Sequence, residues 1–566
     1  MIEDIYEPLA RYREEFKDKF AWIAKATFER LKNDSGVDVE ANKQTVAEIK
    51  KRKAELDGIR GRAALWKFAA FILWAAVAVC GCLCFLMFYE HSDADYVRKG
   101  IVFGAAALAS LLLAVFQVHP KIAMLNKKAE ELEEIISGLM EQAWEQMAPL
   151  NRLFTWDLLT GMMKKCVPRL EFDPYFNEAR LQDLRESFDW SDSFNDGMSI
   201  LFAHSGVIND NPFVICRYLN SDWGVQSYTG SLTITYTETV RGSDGKWRSE
   251  RRYQTLYATI ERPVPVYDES TMVIYANDAA PKSSFSRTPS KYSGEDGFFS
   301  NVGKKMALKE LEKFARNLED DSNFTMMSNR EFEVLFHAKD RNDEVEFRLL
   351  FTALAQQQMV NLLNDKEVGF GDDFSFAKSK KINFVAPEHL NDFDLDTDPE
   401  QFKNYDFENM QEFFLRRSQD YFRRIYFALA PLLTIPLYQQ TRTVKSIYGC
   451  DGEVHPASFW ETESFVNYLG EDRFKHPKSI TRNILKTSTC PSPDGVVSVT
   501  ADGYRGEDRV EYVSVWGNDG RCHNVPVEWI EYLPVSRTSK IKVDIADEYA
   551  AAADPQGIRR RLRQVS

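Results

Sequence analysis

The chain reads as an α+β protein carried on a two-helix membrane hairpin, and three observations predict it. Two uncharged apolar runs of spanning length stand ten residues apart, at 68–89 and 100–118. Apolar stripes at helical spacing flank them on both sides. Farther along, the period changes to strand alternation broken by short helical segments.

The opening segment, "MIEDIYEPLARYREEF", is charged and helical in pattern, with no apolar region or cleavage site, so no cleaved leader is expected. Ile5, Leu9, Tyr12, Phe16, Phe20, Ile23 and Leu31 form one amphipathic stripe, and Val46, Ile49, Leu56 and Ile59 a second, with "NDSG" between them. Residues 1–64 are therefore expected to be cytoplasmic amphipathic helices.

Residues 65–118 are expected to form the hairpin. A helix needs about 20 apolar residues to cross the hydrocarbon core, and the runs of 22 and 19 residues both suffice. Lys50, Lys51, Arg52, Lys53, Arg60, Arg62 and Lys67 precede the first span, and Lys121, Lys127 and Lys128 follow the second. The loop between holds only Arg98 and Lys99. By the positive-inside rule both termini lie in the cytoplasm, which predicts a multi-pass protein of the cell's inner membrane. Gly100 and Gly104 face small residues at Ala75, Ala76, Ala78 and Gly81, which suits close helix packing within the hairpin or between copies. Neither span contains Asp, Glu, His, Lys or Arg, so the usual marks of an ion pathway are missing.

The helical rhythm returns at Ile122, Leu125, Leu132, Ile136, Leu139 and Met147, predicting a helical stalk over 119–152 with coiled-coil-like packing. From 153 to 440 an α+β cytoplasmic domain is expected. "SLTITYTETV" and "RYQTLYATI" around a Gly/Asp-rich turn read as a hairpin, and "TMVIYA" and "KINFVAP" as further strands. "NEARLQDLRESFDW" reads as a helix. Phe332, Val334 and Phe336 alternate, as do Val345, Phe347 and Leu349 around "KDRND", predicting a second hairpin before a helix near Thr352. The apolar run 425–438 contains Pro431 and Pro436 and is too short to span, so a buried or interfacial helix is expected. Residues 441–535 suggest a small β-rich domain, pictured as a barrel, and 536–566 a basic tail whose Arg559, Arg560, Arg561 and Arg563 suit anionic lipid.

The stretch "NREFEVLFHAKDRNDEVEFRLLFTALAQQQMVNLL", with upstream "YTGSLTITYTE" and "TLYATIERPVPVY", resembles an uncharacterised bacterial membrane-protein family. Its members carry a paired transmembrane hairpin before a cytoplasmic domain of unknown function. The resemblance spans roughly 121–437 and implies a bacterial cytoplasmic-membrane location, but no activity, cofactor or site residue.

The net charge of −14 argues against general nucleic-acid binding, which needs cations to neutralise phosphates. The eight cysteines follow no disulfide or zinc spacing, which fits a reducing compartment. Asp392, Asp394, Asp396 and Asp398 alternate as in a calcium loop. The sixth-position Gly and twelfth-position Glu that would close an EF-hand are missing, and Lys403 stands at the twelfth, so these are metal candidates by their alternation alone. Cys450, His455, His476, Cys490, Cys522 and His523 lack zinc spacing, and His204, His337 and His389 stand alone. Arg241, Lys246, Arg248, Arg251, Arg252 and Arg262 interleave with Trp247, Tyr253 and Tyr257, but Glu238, Glu250 and Glu261 dilute that basic hairpin.

No phosphate loop, nucleophile elbow or HExxH occurs, and no cofactor is implied. The expectation is a membrane-anchored interaction or scaffold protein, bound to the bilayer and to a protein partner or to copies of itself through its membrane and stalk helices. A membrane enzyme with a dispersed site and a small-molecule or lipid sensor are the alternatives.

Overall fold

The computed structural model describes residues 5–90, 94–191, 195–241, 247–289, 327, 329–338, 340–440, 456–488 and 496–542. Its chain forms two compact units: Lys25–Phe154 with Pro399–Arg417, and Met1–Ala24 with Thr155–Asp398 and Ser418–Ser566.

The first unit is helical. Val39–Glu90 is one helix of 52 residues, about 78 Å long at 1.5 Å per residue. Ala94–Leu113 and His119–Asn151, joined by a π turn at Ala114–Val118, run back alongside it. Two of these stretches are long and apolar enough to cross a membrane, and only 6% and 11% of their most apolar windows is buried. Their Phe68, Phe71, Phe85, Ile101 and Phe116 side chains point outward, unlike those of a soluble core helix. Where the helices meet, small residues take the contact: a Cβ added to Gly104 would lie 3.3 Å from the Cys84 Sγ. Cys84 thus packs as a small apolar side chain.

Below the apolar stretch, Leu56, Ala63, Leu125, Ile136 and Met147 are buried, and Arg60 pairs with Glu133 at 2.8 Å. Pro399–Arg417 returns to this unit through two buried asparagines. Asn42 accepts from the Phe407 amide at 3.1 Å and donates to the Tyr405 carbonyl at 2.9 Å. Asn151 exchanges two such bonds with Asn404, each 3.2 Å. These amides satisfy backbone groups that would otherwise be buried without partners.

The second unit is built on a seven-stranded antiparallel sheet in the order β1-β2-β3-β4-β7-β6-β5. Its strands are β1 (Leu170–Phe172), β2 (Met198–Ile208), β3 (Asn211–Arg241), β4 (Trp247–Ala276), β5 (Ser284–Arg287), β6 (Phe374–Ser379) and β7 (Ile382–Pro387). On one face Ile200, Val214, Tyr218 and Ile274 pack with Leu181, Leu184 and Trp190 and with Trp460 of the Phe459–Tyr468 helix. On the other face lie Val273, Tyr275, Phe376 and Lys378. The apolar run 425–438 is packed in protein, with Ile425, Leu429 and Leu432 at most 1% exposed. The first amphipathic stripe closes on it: Phe20 stacks on Phe422 at 4.2 Å, and Phe16 meets Tyr426 edge-on at 5.7 Å.

One expected element is corrected. The hairpin read over 331–349 is a pair of helices, Arg330–Phe336 and Glu344–Leu350. Asn329 and Asp343 cap them, each side chain accepting from two backbone amides at 2.9 to 3.2 Å. Phe332 and Phe336 satisfy helical i, i+4 spacing as well as strand i, i+2 spacing, and the caps decide between them. Val345 and Leu349, expected in the core, are 70% and 55% exposed. Phe347, Phe351 and Phe336 gather instead around Phe285, with centroids 5.1 to 6.0 Å away.

The late strands β8 (Ile484–Thr487), β9 (Val496–Trp516) and β10 (Cys522–Lys542) form an open three-stranded sheet, not a barrel. The basic tail residues and Lys246 lie outside the described residues.

Candidate functional site

The feature that commits the most sequence to a surface is a β arm. β3 and β4 are 31 and 30 residues long, several times the usual strand length of about 5–6. β2 leaves β3 at Asn220, and β7 pairs with β4 only from Val273. The distal halves of β3 and β4 therefore continue past the sheet as a two-stranded ribbon. The β9–β10 hairpin stacks against one face of that ribbon. Ile234, Leu256 and Ala258 bury themselves against Val525 and Val527. The approach is close enough to require glycine at 230, where a Cβ would lie 1.9 Å from the Pro526 carbonyl oxygen.

Because side chains alternate, burying the even-numbered residues leaves the odd-numbered ones outside. On β3 these are Thr229, Ser231, Thr233, Thr235 and Thr237; on β4 they are Trp247, Arg251, Tyr253, Thr255, Tyr257, Thr259 and Glu261. The hydroxyls form cross-strand pairs, Thr229 with Thr259 at 3.0 Å and Thr233 with Thr255 at 3.1 Å. Trp247, Tyr253 and Tyr257 are 69%, 70% and 66% exposed.

The structure sorts the charges that the sequence interleaves. Arg252 pairs with Glu238 and Glu250 at 3.3 Å, all in the inner register, and Arg262 pairs with Glu511. The outer face keeps Arg241, Arg251 and Glu261, and of these Arg251 and Glu261 make no ion pair among the described residues. Of these residues Tyr, Trp and Arg are the types enriched at interface cores and hot spots, whereas the Ser and Thr of the hydroxyl ladder are not.

The other candidates are spread through the fold. Phe393, Leu395 and Thr397 are buried between Asp392, Asp394, Asp396 and Asp398, so the acids alternate outward from an extended segment. Successive aspartates cap one another's backbone, Asp396 donating to Asp394 at 2.9 Å and Asp398 to Asp396 at 3.0 Å. Among the described residues no three His, Cys, Asp or Glu side chains are placed to hold a metal. Cys450, His455 and Cys490 lie outside the described residues. His523 bonds Asp519 at 2.9 Å, and Cys522 is exposed. His337 is exposed at a helix C-cap with φ 54°. His204 Nε2 contacts the Asp173 carbonyl at 3.0 Å, beside a buried cluster in which Asp173 accepts from Arg180 at 2.9 Å and Ser205 at 2.6 Å.

Two buried groups go beyond what the sequence suggests: His389, expected to stand alone, has partners, and Lys378 is buried. His389 stacks on Phe370 at 3.8 Å, with Nδ1 against Asp373 and Nε2 donating to the Arg424 carbonyl at 3.0 Å. Lys378 is fully buried on β6, its Nζ donating to the Ala279 carbonyl at 3.1 Å, and burial pushes its pKa down to about 7. Lys378 continues the alternation of Phe374 and Phe376 along β6, whereas of the lysines beside it Lys380 is exposed and Lys381 half-buried. The grooves are elsewhere: one of about 670 Å³ is lined by Leu56, Ile136 and Trp144 in the helical unit, and one of about 800 Å³ by Glu7, Arg13 and Asp365 in the sheet unit.

No family model, curated protein or solved structure matches the chain. The resemblance drawn on 329–363 gains no support from these comparisons, and its strand–turn–strand pattern is helical.

Proposed function

We propose that this protein is a membrane-anchored interaction protein whose β arm presents the face that engages a partner. The observation that carries the reading is the outer face of β3–β4, with three large aromatic side chains exposed and Glu238 and Glu250 drawn to the opposite face. An exposed aromatic surface on a ribbon already stabilised by its inner face has no folding role to explain it. The two long apolar helices supply the anchor. The excess of Lys and Arg flanking the pair supports a cytoplasmic position for both termini, and for the arm, at the inner membrane.

Crosslinking in intact membranes, followed by purification of the full chain, tests this. A specific partner should be captured by the wild type and lost from the Tyr253→Ala/Tyr257→Ala variant. Capture unaffected by that double substitution refutes the role of the arm. Reporters fused at either terminus should report the cytoplasm.

A further inference from the structure

The outer face of the arm also carries information about what it binds, and this inference rests on the interaction reading above. Its free charges are one cation and one anion on the same strand, Arg251 and Glu261, ten residues apart in β4. Between them lie Tyr253, Thr255, Tyr257 and Thr259, all exposed.

That order is self-complementary under reversal about Leu256. If β4 of one copy lies antiparallel over β4 of another, with Leu256 of each at the two-fold axis, Arg251 faces Glu261 across the interface at both ends. Tyr253 then faces Thr259, and Thr255 faces Tyr257. Each aromatic ring then lies over a smaller threonine side chain, which lets the two facing layers interdigitate. An isologous contact uses the same patch on both subunits and closes at two copies. Sheets packed face to face sit about 10 Å apart, which leaves room for both side-chain layers.

The area is sufficient. The patch runs about 14 residues at about 3.4 Å per residue and is two strands wide, at about 4.8 Å per strand. Including side chains, it offers roughly 500 Å² per copy, or about 1,000 Å² in total, the lower bound for a specific interface.

We propose that the outer face of the β3–β4 arm docks on the same face of a second copy of this chain, with Arg251 of each copy opposite Glu261 of the other. Like charges then meet if either is reversed alone, and a reversed Arg251 is matched by a reversed Glu261 on the other chain.

The experiment uses full-length chains bearing two different affinity tags, co-expressed and purified in detergent. Wild-type copies should co-purify. Arg251→Glu copies should lose self-association at least tenfold, as should Glu261→Arg copies. Arg251→Glu copies mixed with Glu261→Arg copies should recover it, and so should the double variant with itself. The rescue separates a broken interface from a misfolded arm. Single variants that self-associate like wild type, or mixtures that fail to recover, overturn the proposal. If wild-type copies do not co-purify while Tyr253→Ala/Tyr257→Ala still loses a crosslinked partner, the second copy is excluded and the interaction reading stands.

Discussion

Lys378 should make the sheet unit less stable at neutral pH than a methionine in its place. Its ammonium is fully buried on β6, with one backbone acceptor and the Tyr438 ring 5.6 Å away. Burial lowers its pKa from 10.5 to about 7, which corresponds to about 5 kcal/mol against the charged form. Between these values the unfolded chain holds a proton that the folded chain has released. Stability therefore rises with pH through that window, and the cost is fully present below pH 7. Methionine matches the aliphatic stem and carries no charge to desolvate, so Lys378→Met should stabilise the unit by about 2–4 kcal/mol at pH 7, allowing for local relaxation. The gain should shrink toward pH 10. The assay is urea unfolding of the full chain in detergent at several pH values, followed by fluorescence of the buried Trp190 and Trp460. A wild type whose stability does not change from pH 7 to 10, or a methionine variant that is less stable at pH 7, refutes the argument.

Glu463, buried against Lys486 at 3.1 Å, has its pKa pushed up to about 6 by burial. Stability should fall as pH rises from about 4.5 to 6, by about 2 kcal/mol, and Glu463→Gln should remove that slope in the same unfolding experiment. Asn42→Ala should cost about 1–3 kcal/mol by orphaning buried backbone groups, read as faster amide exchange at Phe407. Gly230→Val should force the two hairpins of the arm apart, because Pro526 occupies the space of a Cβ; protease cleavage within β9–β10 should accelerate. Val345→Lys should cost less than about 0.5 kcal/mol, since the residue is exposed on a helix; unfolding of the unit would restore the hairpin reading.

The elements legible in the sequence are those whose pattern admits one period. The two apolar runs, the Glu178–Phe188 helix and the strand pairs around 231–260 fall in this class. The 331–349 segment was ambiguous because Phe332 and Phe336 satisfy both periods, and the decisive capping by Asn329 and Asp343 is a matter of two side chains. The full length of β3 and β4 was hidden because burial changes side along each strand. The proximal part is buried on both faces and reads as a continuous apolar run, "PFVIC", while the distal part alternates. The site was half legible. Its aromatic and basic residues stood out, but their separation from Glu238 and Glu250 depends on which face β9–β10 covers, a pairing across some 250 residues of chain. The burial of Lys378 and His389 was not legible, because it depends on segments remote in sequence.

The most direct test of the central claim is alkaline carbonate extraction of membranes containing the full chain, followed by flotation. If lipid surrounds the helices of the hairpin, the chain stays with the floated bilayer at pH 11. Its release into the aqueous fraction, with the chain still folded and unaggregated, would contradict the membrane anchor on which the functional reading stands.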